Sequence, residues 1–393
     1  MGDQGRLLGL IWVSAISCRA PILGVGPVLP RIIEDLALSH TAAGLLFALP
    51  VLMMGLVSVL GGIVADRVGA ARVIGAGLLA VAGASALRAA GSVGALFGGT
   101  ALLGGAIGAT QAALPRIVRE RFAARIGLAT AVYSSGFTVG SLLAVTLTNA
   151  WLVPLTGGWS GTFLVWAAVS AVPVLFWRPY AAAAPRGTAA FDAAAFGAVL
   201  KDGLLWRIAL VQTMNSAAFY GTSAWLTAYF EHLGWPPADA AWPLAVFTAA
   251  GALAGFLAPV VSDRIRARRG LLVGTCALSV VGLTGFLLAP AGLVWSSSVA
   301  YGVGLFASYT INLTLPVDVS PPARVGAATG VVFSVGHGGG LFGPFLVGLL
   351  KDWTGRFESG LLALLAMVLV MTAVSFSVPE TYGGRARGTP GAG

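Results

Sequence analysis

Arg19 lies inside a long apolar stretch, residues 7–33, LLGLIWVSAISCRAPILGVGPVLPRII. Such a run crosses a bilayer, which takes about 20 residues. At ~1.5 Å per residue, Arg19 lies about 18 Å from the start of the run, near the midplane. A cation there costs at least ~2.5–3.5 kcal/mol on insertion scales, so it faces a partner, a cavity or a solute. The nearest acidic residues on the same segment are Glu34 and Asp35, at its far end. Pro21, Pro27 and Pro30, with Gly24 and Gly26 among them, break the helix beyond Arg19. Broken membrane helices occur where they are buried in protein or line a cavity. Two readings follow: a structural arginine bonded to freed carbonyls, or a positive site for an anionic or electron-rich solute.

The second candidate is His337, in GHGGGLFGP (336–344). Histidine titrates near neutrality, and no Asp or Glu falls in the interior of a predicted span. His337 is thus either a proton-coupling group or a hydrogen-bonded packing residue. No phosphate-binding glycine loop, metal-spaced His-Cys-acid cluster or serine nucleophile with a base is found, which argues against an enzyme. Cys18 and Cys276 both lie in apolar runs and read as packing residues. No cofactor or metal is expected.

The elements that must position these residues are membrane helices. The chain has 393 residues, of which 57% are hydrophobic and 9% charged, against about 25% charged in soluble domains. Apolar runs predict spans 1–6 near 7–33, 41–65, 73–91, 93–118, 126–152 and 159–178. Spans 7–12 follow near 206–232, 239–262, 271–289, 292–317, 325–350 and 358–378. The expected domains are a six-helix bundle at 1–178, a cytoplasmic linker at 179–205, a second bundle at 206–378, and a disordered cytoplasmic tail at 379–393. The net charge of +9 comes from arginines in short loops and does not point to nucleic acid. With both termini cytoplasmic, only Arg31, Arg88, Lys351 and Arg356 fall outside, which obeys the positive-inside rule.

The two halves repeat. GIVADRVGAAR (62–72) after span 2 matches PVVSDRIRARR (259–269) after span 8. RIGLAT (125–130) opens span 5 and RVGAAT (324–329) opens span 11. Span 4 ends QAALP (111–115) and span 10 ends NLTLP (312–316). Matches in the same order at near-constant offset point to parallel six-helix repeats.

The paired Asp-Arg loops resemble the cytoplasmic signature of the major facilitator superfamily. Gly62, Val64, Asp66, Arg67, Gly69 and Arg72 fill that pattern in the first half. The second copy keeps Asp263 and Arg264 but has Pro259 and Arg266 where glycine is usual. The resemblance implies an all-α fold of twelve transmembrane helices in two bundles related by a pseudo-two-fold axis. It also implies a cytoplasmic gate, with the aspartates set against helix starts after Arg125 and Arg324; the alternative is a solvated turn that fixes topology. Within the superfamily, Arg19-Ala-Pro21, GVGPVLP (24–30), LSHTAAGLLFALPVL (38–52) and GLATAVYSSGFTVGSLLA (127–144) resemble the cyanate-permease and nitroimidazole-transporter branch. That implies a small anion or small polar molecule as substrate, and a substrate-facing Arg19.

In this fold spans 1, 4, 7 and 10 line the cavity, as the resemblance implies. Their interior polar residues are Arg19, Gln111, Asn215, Tyr220 and Asn312, with Trp12, Tyr133 and Trp225 as candidate walls. Each amide alone is also a candidate helix–helix hydrogen bond; Gln111 and Asn312 gain weight from their equivalent repeat positions. Many drug–proton exporters of the superfamily carry an arginine inside span 4 and a Gly-Pro pair in span 5. Here span 4 has no arginine before Arg116, and span 5 has Gly136 and Gly140 with no proline between them. The expected protein is a monomeric multi-pass secondary transporter of a bacterial inner or plasma membrane, working by alternating access with or without a coupling proton. The alternatives are an exporter of small drug-like or metabolic compounds and, outside transport, a membrane sensor or scaffold.

Overall fold

A computed structural model describes residues 3–122, 125–181, 193–288, 292–321 and 324–381. Every regular element among them is helical, and the twelve spans appear in the expected order. Span 1 is Asp3–Leu23, a 3-10 turn Gly26–Val28 and a second helix Leu29–Leu36. Spans 2 to 4 are His40–Val68, Ala70–Arg88 and Val93–Arg121. Span 5 runs Ile126–Leu147 into a π turn, Thr148–Leu152, and span 6 is Trp159–Ala181. Spans 7 to 12 are Gly203–His232, Trp242–Ile265, Arg268–Leu288, Val294–Val319, Val325–Thr354 and Phe357–Ser375. Ser39 and Ser92 open spans 2 and 4 by accepting the N–H of Ala42 and Ala95, the usual way to satisfy a helix start.

Ten of these helices are both long and apolar enough to cross a membrane. Spans 7 and 10 are as long but more polar, and the reason is structural. Span 7 buries Gln212, Asn215, Ser216, Thr222 and Ser223, and span 10 buries Ser297, Ser298, Ser308 and Asn312. Groups like these are tolerated away from water when they bond within the protein.

The chain forms two compact units, Met1–Ala190 with Ser223–Trp242, and Phe191–Thr222 with Pro243–Gly393. In the first, span 5 packs on span 1, span 4 on spans 2 and 3, and span 6 on span 3. In the second, span 9 packs on spans 10 and 12, and span 11 on span 12. The repeat seen in the sequence is also a repeat of contacts. A Cβ on Gly136 or Gly140 of span 5 would strike the carbonyls of Trp12 or Ile16 in span 1. A Cβ on Gly339 or Gly343 of span 11 would strike the carbonyls of Thr213 or Ala217 in span 7. Small residues four apart let helix backbones touch, the usual basis of membrane helix packing.

Part of the predicted linker, 182–192, and of the predicted tail, 382–393, lies outside the described residues. Within the linker, Ala193–Leu200 is a helix. Glu380 and Thr381, at the start of the stretch assigned to a disordered tail, are instead held in place. Glu380 accepts the backbone N–H of Arg268 and Arg269 at the start of span 9, where a carboxylate also meets the positive end of the helix dipole.

Candidate solute site and flanking loops

Arg19 is half-buried and stands one turn before the break in span 1. The break is visible in the hydrogen bonds. Gly24 N–H still reaches Ala20 at 2.9 Å, but Val25 N–H turns to Ile22 at 3.4 Å, and Val28 N–H to Val25 at 3.1 Å. Pro27 has no N–H to offer, and Pro30 restarts the helix. The carbonyl of Pro21 thereby loses its helical donor. Gly26 allows close approach: a Cβ there would sit 2.1 Å from the Ser223 carbonyl oxygen. On the other side of Arg19, Gly140 of span 5 lies so near that an added Cβ would be 3.3 Å from the Arg19 Cβ. Arg19 thus projects from a piece of helix fixed by span 5 on one side and by the break on the other.

Gln111, near the end of span 4, is half-buried. Trp12 donates from its indole N–H to Ser135 at 3.1 Å, and Tyr133 meets Phe137 edge-on. Trp225 is fully buried against His40, their ring centroids 5.8 Å apart. In the second unit, Asn215, Tyr220 and Asn312 are almost wholly buried. The Asn215 amide N–H donates to the Leu305 carbonyl and to Ser308, each at 2.9 Å. The Asn312 amide N–H donates to the Ile208 carbonyl at 3.1 Å and to Gln212 Oε1 at 3.0 Å. Both asparagines thus tie span 7 to span 10. Gln212 is a buried polar residue that sequence reading passed over. The signal was available: it lies one turn before Asn215 in span 7, on the side Asn312 meets.

His337 is half-buried, with Nδ1 2.9 Å from the Phe333 carbonyl and its ring 4.0 Å from the Phe333 ring. The ring therefore lies along its own helix, span 11.

At the loop after span 2, Gly69 has φ 98° and its N–H closes the helix on Ala65 at 3.0 Å. A side chain is disfavoured at that φ, which explains the motif glycine. Arg67 and Arg72 are exposed, and Arg72 returns to the Val68 carbonyl at 3.1 Å. The Asp66 side chain lies outside the described set. Arg125 and Arg324 are exposed at the starts of spans 5 and 11. In the second copy, Arg266 occupies the place of Gly69 and adopts φ 54°, so the turn keeps its left-handed residue without the glycine. Arg264 is exposed there. Asp263 pairs with Arg268 at 3.3 Å, Arg268 pairs with Asp318 at 2.6 Å, and Thr381 donates to Asp318 at 3.1 Å. Sequence reading missed Arg268, Asp318 and Glu380. At the end of span 4, Glu120 pairs with Arg116 at 2.6 Å.

Arg88 departs most from expectation. The charge count placed it on the outer side, near the end of span 3. It is instead fully buried at the end of span 3, because its stem turns inward over Gly99. Its guanidinium donates to the freed Pro21 carbonyl at 2.9 Å and sits 4.1 Å above the Phe163 ring. At the end of span 1, Arg31 donates to Asn149 Oδ1 at 3.1 Å, and the Asn149 amide donates to the Pro237 carbonyl at 2.9 Å.

Comparison with known proteins gives this arrangement its family. The family model described as Major Facilitator Superfamily matches residues 11–344. The chain belongs to the Major Facilitator Superfamily. It is a multi-pass membrane transporter and not an enzyme. It is 28% identical over 371 residues to the 2-nitroimidazole transporter of Escherichia coli K12, covering 93% of each chain. It is also 28% identical over 353 residues to the cyanate transport protein CynX of the same organism, covering 89% of this chain and 91% of that one. Among solved structures it resembles a bacterial homologue of the human lysosomal transporter Spinster. The TM-score is 0.82 at 17% identity, with 98% of both chains covered, a likeness of fold. Within this superfamily fold, Cys18 and Cys276 are free and buried.

Proposed function

We propose that this superfamily member moves a small anion or small polar solute across the membrane by alternating access, with Arg19 as the group that meets the solute. The observation that carries the reading is Arg19 itself: a half-buried arginine in mid-span, fixed beside a helix break. A guanidinium offers a planar array of donors suited to small oxyanions and pseudohalides. The names of two relatives, a cyanate transport protein and a 2-nitroimidazole transporter, agree with small, electron-rich cargo. Gln111 joins Arg19 as a solute contact. Asn215, Tyr220 and Asn312 shape the site through spans 7 and 10, His337 is the candidate for proton coupling, and the Asp66–Arg72 and Asp263–Arg269 loops form the cytoplasmic gate.

Bringing a monovalent anion into a cell at an inside-negative potential costs about 2.3 kcal/mol per 100 mV. Import therefore requires coupling or exchange, whereas export runs downhill. A second reading is export of a small drug-like or metabolic compound; one relative is named as a transporter of such a compound, 2-nitroimidazole. We place the protein in a bacterial inner or plasma membrane as a monomer, with both termini cytoplasmic; the arginine distribution supports that orientation.

The test is a thermal-shift screen of cyanate, nitrate, short carboxylates and nitroaromatics, followed by uptake of the best binder into proteoliposomes. Arg19→Ala abolishes binding and uptake without loss of folded protein, and Arg19→Lys retains at most a fraction. Undiminished uptake by Arg19→Ala refutes the assignment.

A further inference from the structure

We propose that Arg88 is the centre of a second, buried site for a small monovalent anion, distinct from the solute position at Arg19. Arg88 is wholly buried, and a guanidinium keeps its proton in proteins. A buried charge is expensive unless an opposite charge accompanies it. Its two contacts, the Pro21 carbonyl and the Phe163 ring, carry only partial negative charge. Its Nε and Nη2 have no hydrogen-bond partner among the described residues.

The neighbouring polar groups point the same way. Ser85 lies one turn earlier on span 3, and Thr100 follows Gly99, which packs on the Arg88 stem. Both hydroxyls are buried and unpartnered. One turn beyond Pro21, a Cβ on Gly24 would lie 3.0 Å from Trp166 Nε1 and 3.3 Å from Thr148 Oγ1. These two groups are also buried and unpartnered. Around one turn of span 1, from Pro21 to Gly24, stand the Arg88 guanidinium, the Trp166 indole N–H and the Thr148 hydroxyl, all able to donate. Water brings donors as well as acceptors and leaves the charge uncompensated. A halide-sized anion at the guanidinium accepts from its unpartnered Nε and Nη2 and balances the charge.

The second repeat supplies the contrast. Counted from the paired Asp-Arg loops, the position equivalent to Arg88 is Gly285, where a Cβ would lie 2.1 Å from Ser297 Oγ. Of these two repeat positions, only the one in the first half carries a charge.

The test uses the purified full-length protein in detergent, in gluconate buffer at fixed ionic strength, titrated with bromide. The expected result is a saturable rise in melting temperature of about 2–4 °C, as for any ligand that binds the folded state. Because Arg19 also offers a guanidinium to small anions, the titration is read in Arg19→Gln, which keeps a saturable rise, and in the double variant Arg19→Gln, Arg88→Gln, which loses it. If Arg88→Gln does not fold, the double variant Ser85→Ala, Thr100→Val keeps the charge and raises the bromide midpoint about five- to tenfold, the value of one or two hydrogen bonds. No bromide response in the native protein, a response that survives Arg19→Gln, Arg88→Gln, or an unchanged midpoint in the Ser85→Ala, Thr100→Val variant overturns the proposal. A response lost only in Arg19→Gln overturns it while leaving the Arg19 reading in place.

Discussion

Gly140→Ala offers the sharpest examination of how Arg19 is held. An added Cβ at this position would lie 2.8 Å from the Ile16 carbonyl oxygen, 2.9 Å from Ile16 Cα and 3.3 Å from Arg19 Cβ. Ordinary van der Waals contact begins at 3.4 Å, so spans 1 and 5 must part locally by about 0.6 Å. Overpacking of this kind costs about 1–3 kcal/mol of stability. Gly136→Ala provides the matched comparison, since its Cβ would lie 2.6 Å from the Trp12 carbonyl oxygen and 2.8 Å from Ala15 Cβ. The two variants should lose similar stability, but only the first pushes on the backbone that carries Arg19. A misplacement of about 1 Å at a reacting or binding group can cost about a hundredfold, so about half that shift should cost roughly tenfold. The concentration dependence of uptake in proteoliposomes should therefore move about tenfold for Gly140→Ala and less than about threefold for Gly136→Ala. Gly55→Ala, where an added Cβ meets nothing within 4 Å, is the control for substitution itself. Equal loss of affinity in Gly140→Ala and Gly136→Ala, or unaltered affinity in a destabilised Gly140→Ala, would refute the reasoning.

Two further predictions are independent of that one. Arg266→Gly should stabilise the protein by about 1 kcal/mol, because φ 54° is left-handed and disfavours a side chain; thermal unfolding that is unchanged or earlier counts against it. His337→Gln should flatten the response of uptake to an imposed pH gradient from pH ~5.5 to ~7.5, the range where histidine titrates; a retained response removes His337 as the coupling group.

Much of the architecture could be read directly from the residues. Apolar run length set the twelve spans, and the structure moves their ends by only a few residues. The Pro21, Gly24, Gly26, Pro27 and Pro30 cluster located the break in span 1, because lost donors and left-open turns are local properties of the backbone. The site was harder to read. Asn215 and Asn312 stood out as polar residues in apolar runs, yet an amide facing a solute and one bridging two helices look alike in one dimension. Gln212 was passed over for the same reason, since its value depends on which amide meets it. Arg268, Asp318 and Glu380 are far apart in sequence and become a network only when spans 9, 10 and 12 pack together.

The sequence by itself determined that this chain crosses a membrane many times, that it is built from two repeats, and that Arg19 sits in mid-span. These follow from hydropathy and spacing, which are additive along the chain. Tertiary structure alone decided where the long side chains turn. Arg88 shows the difference: by position it is a charge at the outer end of a span, but its flexible stem reaches back over Gly99 and buries the guanidinium against Pro21 and Phe163. The direction taken by such a side chain depends on the surfaces that other helices present to it, and those surfaces exist only in the folded protein.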